Sequence, residues 1–302
     1  MKSGRGTGRW ARLALAAAVI VQLVLSAGCG RPSFDGEDAF ALLERQCEFG
    51  PRPPGSEAHD AMLSWLVDVL RERSESVSVQ RFSVLSEAGR VDMANVIASF
   101  RVDARERVLL GAHWDTRAIA EKDQDPEKRA LPIPGANDGA SGVAVLLELA
   151  AMMSERAPAV GVDLVFFDGE DGGNGGGLDE FCLGSTYFAM NMGDYCPGYA
   201  VVVDMVGDAD LAIPVEANSR AACPEIVELV WSAAERAGAN SFSDATGSYM
   251  LDDHIPLIQA GVPSALIIDF EYPHWHTHED TPDKCSPESL AEVGEVLAEL
   301  VY

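Results

Sequence analysis

The chain has 302 residues, 47% of them apolar, and sets 48 acidic side chains against 22 lysines and arginines, a formal net charge of −26. A surface this acidic repels a phosphate backbone and excludes a generic nucleic-acid binder. The length suffices for one large domain with a full core, and no Pro/Ser-rich linker divides it.

Residues 1–12, MKSGRGTGRWAR, hold Lys2, Arg5, Arg9 and Arg12 and no acid, and 13–28, LALAAAVIVQLVLSAG, are apolar with small residues at the end. This pattern predicts a secretory signal peptide over 1–28, too short to be a comfortable membrane span. Taking its four cations from −26 leaves the remainder at about −30. LSAGC resembles a bacterial lipoprotein box, with Ser26 where Leu is commonest. The resemblance implies cleavage before Cys29 and its acylation, each buried acyl methylene contributing about 0.8 kcal/mol of membrane affinity. The expectation is an exported protein, lipid-anchored to the cell envelope, with a short linker over 29–33 and a folded domain over 34–302. Of the six cysteines, five remain once Cys29 is set aside. Their spacing matches no zinc motif, one at least stays unpaired, and Cys182 and Cys196 could be bridged in an oxidising compartment.

Apolar residues at helical spacing predict helices over Phe34–Phe49 and Ser56–Arg73, the second with Ser56 as N-cap and His59 at N3. FGPRPPGS forms a rigid turn between them. Val77–Val84 and Asp92–Phe100 alternate as strands do. Arg107–His113, RVLLGAH, is a continuous apolar run, the mark of a strand buried on both faces. Arg117–Pro134 is charged and reads as a solvated loop in preference to a lid. Then follow a strong helix (Gly139–Ser154), a buried strand (Val162–Asp168), a short helix (Ser185–Met192) and a strand (Gly198–Val206). A helix over Ala221–Ala237, a strand over Pro263–Asp269 and a helix over Pro287–Val301 capped by Ser286 complete the chain. Strands alternating with helices predict a single-domain α/β three-layer sandwich, its mixed, mostly parallel sheet covered on both faces. Ligands of such sheets bind at the carboxyl ends of the strands.

Those ends carry acids and imidazoles. GAHWDT supplies His113 and, on the same face, Asp115; PGANDGASG supplies Asp138; FFDGED supplies the adjacent Glu170 and Asp171. Asp204 interrupts an apolar run, and YPHWHTHED brings His274, His276 and His278. Nitrogen and oxygen donors with no convergent thiolate suit a catalytic zinc. Each piece alone is weak, since an Asp at a helix start such as Asp138 is commonly a cap. The convergence of five such ends on one edge is the stronger signal. A zinc site for acyl chemistry needs one carboxylate on the metal and one free to move protons, and Glu170–Asp171 offers such a pair. The glycines at 172, 173, 175, 176 and 177 let the backbone turn beside a substrate without filling the pocket.

FGPRPPGSEAH, GAHWDT, GANDGASG, FFDGED, CLGSTYFA, DMVGD, DDHIP and WHTHEDT follow one another as in the zinc aminopeptidase-like superfamily. From about Phe34 to the C-terminus the chain most resembles its glutaminyl cyclase branch, in particular the secreted bacterial members of the animal-type enzyme. The resemblance implies a six-stranded mixed sheet and one zinc on Asp138, Asp171 and His276. It implies Glu170 as proton shuttle, Asp204 and Asp252 as hydrogen-bonded acid partners beside it, and Trp275 as a pocket wall. In the aminopeptidase branch a second zinc would use His113 and Asp204, with Asp138 bridging. Asp252 in DDHIP and the Trp of WHT are cyclase-like. Animal cyclases carry a Trp in the loop after the paired acids, where this chain has only the glycine run.

The implied function is zinc-dependent conversion of N-terminal glutamine of peptides to pyroglutamate with release of ammonia. A two-zinc aminopeptidase and a non-catalytic binding lipoprotein are the rivals. The expected partners are peptide or protein N-termini, with no nucleic acid, membrane contact only through the lipid, and a monomeric chain.

Overall fold

Strands buried on both faces can only pair into the middle of a sheet, and the apolar runs do so. The computed structural model describes residues 31–86, 89–172 and 180–302. The signal segment, Cys29 and most of the glycine run lie outside them. A hairpin of β1 (Ser76–Ser86) and β2 (Gly89–Phe100) pairs antiparallel with β4 (Gly161–Phe167). Parallel pairing then joins β4 to β3 (Arg107–His113), β3 to β5 (Tyr199–Asp204), and β5 to β8 (Ser264–Ile268). The resulting six-stranded sheet, β1-β2-β4-β3-β5-β8, is mixed and mostly parallel as expected. After β3 the chain passes to one neighbour and then crosses to the other, which opens a crevice at the end of β3.

Alternate residues of each strand face opposite cores. Val108, Leu110 and Ala112 of β3 join one core with Phe166, Val201 and Ile267; Leu109 joins the other with Val165, Phe167 and Val202. The larger core is covered by α1 (Gly36–Cys47), α2 (Glu57–Arg73), α3 (Ala140–Glu155), α6 (Pro224–Ala237) and α8 (Pro287–Val301). Thinner cover on the second face comes from α4 (Leu183–Met190) and α7 (His254–Gln259). α3 is buried nearly all round, so its apolar residues need no stripe. Burial of a leucine such as Leu146 contributes about 2 kcal/mol. The two serine caps form as the sequence predicts: Ser56 Oγ accepts from His59 N and Ser286 Oγ from Ser289 N, both at 3.1 Å.

Three local differences have plain causes. The helix expected over Ala221–Ala237 is two helices, α5 (Ala217–Ala222) and α6, because Pro224 opens a new first turn. A two-stranded parallel sheet of β6 (Ile213–Val215) and β7 (Phe242–Thr246) was not expected, since β7 is short and mostly exposed. Cys182 and Cys196 are not bonded; the cysteines among the described residues are free. No helix among the described residues is long and apolar enough to cross a membrane.

Candidate metal centre and catalytic site

At the end of β3 the chain runs through Trp114 into Asp115, which does not join the ligand cluster. It lies fully buried under the acidic turn, Oδ1 accepting from Glu170 N at 3.1 Å and Oδ2 from Asp171 N at 3.3 Å. Gly169 makes that turn in the left-handed region, φ +71°. Asp168 fixes its near side, accepting from Ala94 N at 2.6 Å and pairing with His59 Nε2 at 2.8 Å. The His59 ring stacks on Trp114, centroids 4.2 Å apart.

Asp138 stands at the start of α3 without capping it. The cap position is Gly139, which makes no side-chain cap bond. A Cβ at Gly139 would come within 2.5–2.7 Å of the His113 imidazole, so only glycine lets the helix start this close to β3. Asp280 fixes the approach, accepting from Asn137 N at 2.8 Å, Asp138 N at 3.2 Å and the Tyr272 hydroxyl at 2.9 Å. The Asp138 carboxylate is therefore left to face the crevice.

Ligand atoms of Asp138, Asp171 and His276 lie within 4.8 Å of one another, and so do those of His113, Asp138 and Asp204. His276 Nε2 is 3.4 Å from Asp171 Oδ1 and 3.6 Å from Asp138 Oδ2. His113 Nε2 is 3.0 Å from Asp204 Oδ1 and 3.3 Å from Asp138 Oδ1. Asp138 thus belongs to both groups. Asp171 Oδ2 is buried and accepts no hydrogen bond. A dry carboxylate oxygen in a set of imidazole and carboxylate donors fits a zinc ion. His274 and His278 do not join: His274 packs edge-on to Tyr272, and His278 turns to Asp123, its N and Nδ1 at 3.0 and 3.2 Å from Oδ2.

The remaining acids hold protons unusually well. Burial, then the charges of Asp171, Asp252 and Asp253, push the Glu170 carboxyl well above its usual range. Burial and the charge of Asp204 raise Asp252 to about 7. Burial and Asp171 raise Asp138 to about 7. Asp171 itself, although buried, is held down to about 2 by His276 and Arg117. The partnership expected between Asp204 and Asp252 is one of charge; the hydrogen bond of Asp204 goes to His113 instead. Cys182, itself in the left-handed region at φ +52°, brings its thiol 3.5 Å from Glu170 Oε1.

The pocket above these groups is walled by Trp275, Phe270, Met250, Leu251 and Phe181. Trp275 packs edge-on to Phe270 with centroids 4.9 Å apart, which fixes its plane. Phe181 supplies the opposite wall that the glycine run left unassigned; an aromatic directly after an acidic loop was its only sequence signal. The segment Arg117–Pro134 is a correction. Residues 124–127 and 129–131 are exposed as a solvated loop would be, but Arg117 and Glu121 reach into the centre. Glu121 Oε1 lies 2.6 Å from His276 Nδ1, and Arg117 Nη1 lies 3.1 Å from Asp171 Oδ1. Arg117 and Glu121 are four residues apart in HWDTRAIAE, a spacing that could have drawn attention to them.

An α/β sheet that gathers imidazole and carboxylate donors at its strand ends, with a free acid beside them, defines a metal-dependent enzyme of the exopeptidase type. The chain belongs to Peptidase family M28, whose profile matches residues 95–301. It superimposes on a glutaminyl cyclase of Bacteroides thetaiotaomicron with a TM-score of 0.87 at 34% identity, covering 90% of this chain and 99% of that one. A leucine aminopeptidase precursor from the same organism also gives 0.87 at 34%, covering 90% and 98%. Bovine glutaminyl-peptide cyclotransferase-like protein is 25% identical over 277 residues, 82% of this chain and 70% of the relative.

Proposed function

We propose that the chain is a zinc-dependent glutaminyl-peptide cyclotransferase that converts N-terminal glutamine to pyroglutamate and releases ammonia. The observation that carries this reading is geometric: a second acid, Asp252, lines the same pocket as Glu170, above the cluster of Asp138, Asp171 and His276. Aminolysis must take a proton from one nitrogen and deliver it to another, and two coupled acids can hold it between the steps.

Asp138, Asp171 and His276 would hold one zinc. Bound there, the ion supplies Lewis-acid polarisation of the side-chain amide carbonyl. Trp275 and Phe181 hold the glutamine side chain folded back, so that the α-amine meets the amide carbon as an intramolecular neighbour. Beside a bound cation Glu170 would be ionised despite its burial, and it accepts a proton as the amine nitrogen bonds to that carbon. It returns the proton to the amide nitrogen as the old C–N bond breaks, and ammonia leaves. Asp252 and Asp204 shape the field in which Glu170 exchanges that proton.

One ion is favoured over two because the His113 group is closed by its own hydrogen bond, His113 to Asp204 at 3.0 Å, whereas Asp171 Oδ2 is open. A two-zinc aminopeptidase is the second reading, favoured by Asp138 standing in both groups. A non-catalytic role is disfavoured because shuttle and ligands are all present. Purified protein is assayed on a Gln-initiated peptide and on a leucine anilide, with zinc counted per chain. Pyroglutamate with one zinc supports the cyclase; released leucine with two zincs replaces it. Export through residues 1–28, acylation of Cys29 and a monomeric domain over 34–302 belong to the same reading. Cys29→Ala should free the protein from membranes, and sedimentation should give the monomer mass.

A further inference from the structure

We propose that Arg117 and Glu121 form a clamp across two of the metal ligands and set the zinc affinity of the centre; this rests on zinc residing at Asp138, Asp171 and His276. A carboxylate only accepts, so the 2.6 Å contact of Glu121 Oε1 with His276 Nδ1 assigns the imidazole hydrogen to Nδ1. Nε2 is then the nitrogen that faces Asp138 and Asp171 and would be free for an ion between them. Arg117 Nε donates to Glu121 Oε2 at 2.8 Å, and Nη1 donates to Asp171 Oδ1 at 3.1 Å. One guanidinium thus ties the carboxylate that orients His276 to the carboxylate that sits beside it, and it leaves Asp171 Oδ2 as the oxygen without a partner.

The clamp is held rigidly. Ile133 N donates to Arg117 O, Ala120 N to Arg129 O and Arg129 Nε to Asp123 O, which closes the segment on itself. Lys122 N donates to His276 O, and Asp123 accepts from His278 N. The segment therefore grips the loop that bears the ligand histidine at three successive residues. Carboxylates behind ligand histidines commonly account for about 10–100-fold in metal affinity.

Zinc dissociation constants are measured by competition with a chromophoric chelator for the wild type, Glu121→Gln, Arg117→Lys and Glu127→Gln, alongside melting of the zinc-free forms. Glu127 is an exposed acid of the same segment, so Glu127→Gln repeats the charge change without touching the clamp. Glu121→Gln should weaken zinc binding about 10–100-fold, or about 1.4–2.8 kcal/mol, while the zinc-free form still melts cooperatively as a folded protein. Arg117→Lys, which keeps the charge but loses the fork, should also weaken it and stands in should Glu121→Gln fail to fold. Wild-type affinity in both variants, or an equal loss in Glu127→Gln, overturns the clamp alone. A wild-type chain that takes up no zinc overturns the metal reading and the clamp together.

Discussion

Asp115 is the most exacting test of how the centre is built, because it holds backbone N–H groups of the site and would itself meet neither the ion nor the substrate. Its two oxygens accept from the backbone of Glu170, the proposed shuttle, at 3.1 Å and of Asp171, a proposed ligand, at 3.3 Å. Asp115→Asn keeps one acceptor and turns an amide donor against the other N–H. Hydrogen bonds to a charged group contribute about 1.5–3 kcal/mol each, so one such loss is the ceiling on destabilisation. Removing the charge also relieves repulsion of buried Asp168 and Asp253, both raised in part by Asp115. The net stability loss should therefore be small, about 1–2 kcal/mol by urea unfolding. Activity has no such compensation. A shift of about 1 Å in the shuttle costs on the order of 100-fold, so kcat/KM for a Gln-initiated peptide, followed by ammonia release, should drop by about that factor. A variant that loses stability yet keeps kcat/KM within a few-fold of wild type would refute the positioning role of Asp115.

Glu170→Gln should abolish pyroglutamate formation while zinc remains bound at the wild-type stoichiometry, read by turnover and metal analysis together. Phe181→Ala and Trp275→Ala should each raise KM by about tenfold with zinc content unchanged, since an aromatic wall supplies on the order of 1–2 kcal/mol of contact; unaltered KM would remove the residue from the pocket. Glu148, buried in α3 near Asp38 and Arg73, is raised to about 7, first by burial and then by Asp38. Its folded value exceeds its unfolded one, so the native state binds the extra proton between about pH 4.5 and 7 and stability falls as pH rises through that window. Glu148→Gln should flatten this slope and raise stability at pH 8 by up to about 3 kcal/mol, with little change at pH 5, by urea unfolding at both pH values.

Where burial is total, the sequence is nearly self-explanatory. β3 runs over the predicted Arg107–His113, and α3 departs from its prediction by one residue at each end, because nothing but core tolerates such runs. Ser56 and Ser286 are legible because a hydroxyl placed one residue before a helix has one productive use. β7 and α7 were missed because elements of five or six residues are too short to show a period. The site divides in the same way. Glu170, Asp171 and Asp204 sit at strand ends and Asp138 just before a helix, where topology brings them together, while His276 was legible through its histidine-rich motif in the loop after β8. Arg117, Glu121 and Phe181 arrive from loops, and no rule of period or propensity says how far a loop side chain will reach.

What separates the acids that build this centre from those that act in it is where their oxygens point. Asp115, Asp168 and Asp280 were indistinguishable from ligands by residue type and position, yet each commits both oxygens to partners, backbone N–H groups in the main and the His59 ring and Tyr272 hydroxyl besides. A carboxylate so engaged is satisfied and stays in place. Among the described residues, Asp171 keeps an oxygen with no donor, and the side-chain contact of Glu170 is a weak one to the Cys182 thiol. Burying such groups beside one another is unfavourable unless a cation or a proton joins them. The three satisfied acids therefore act as a frame that forces the unsatisfied ones together, and in the proposed reading that proximity is what would let Asp138, Asp171 and His276 gather an ion with Glu170 and Asp252 in the same pocket.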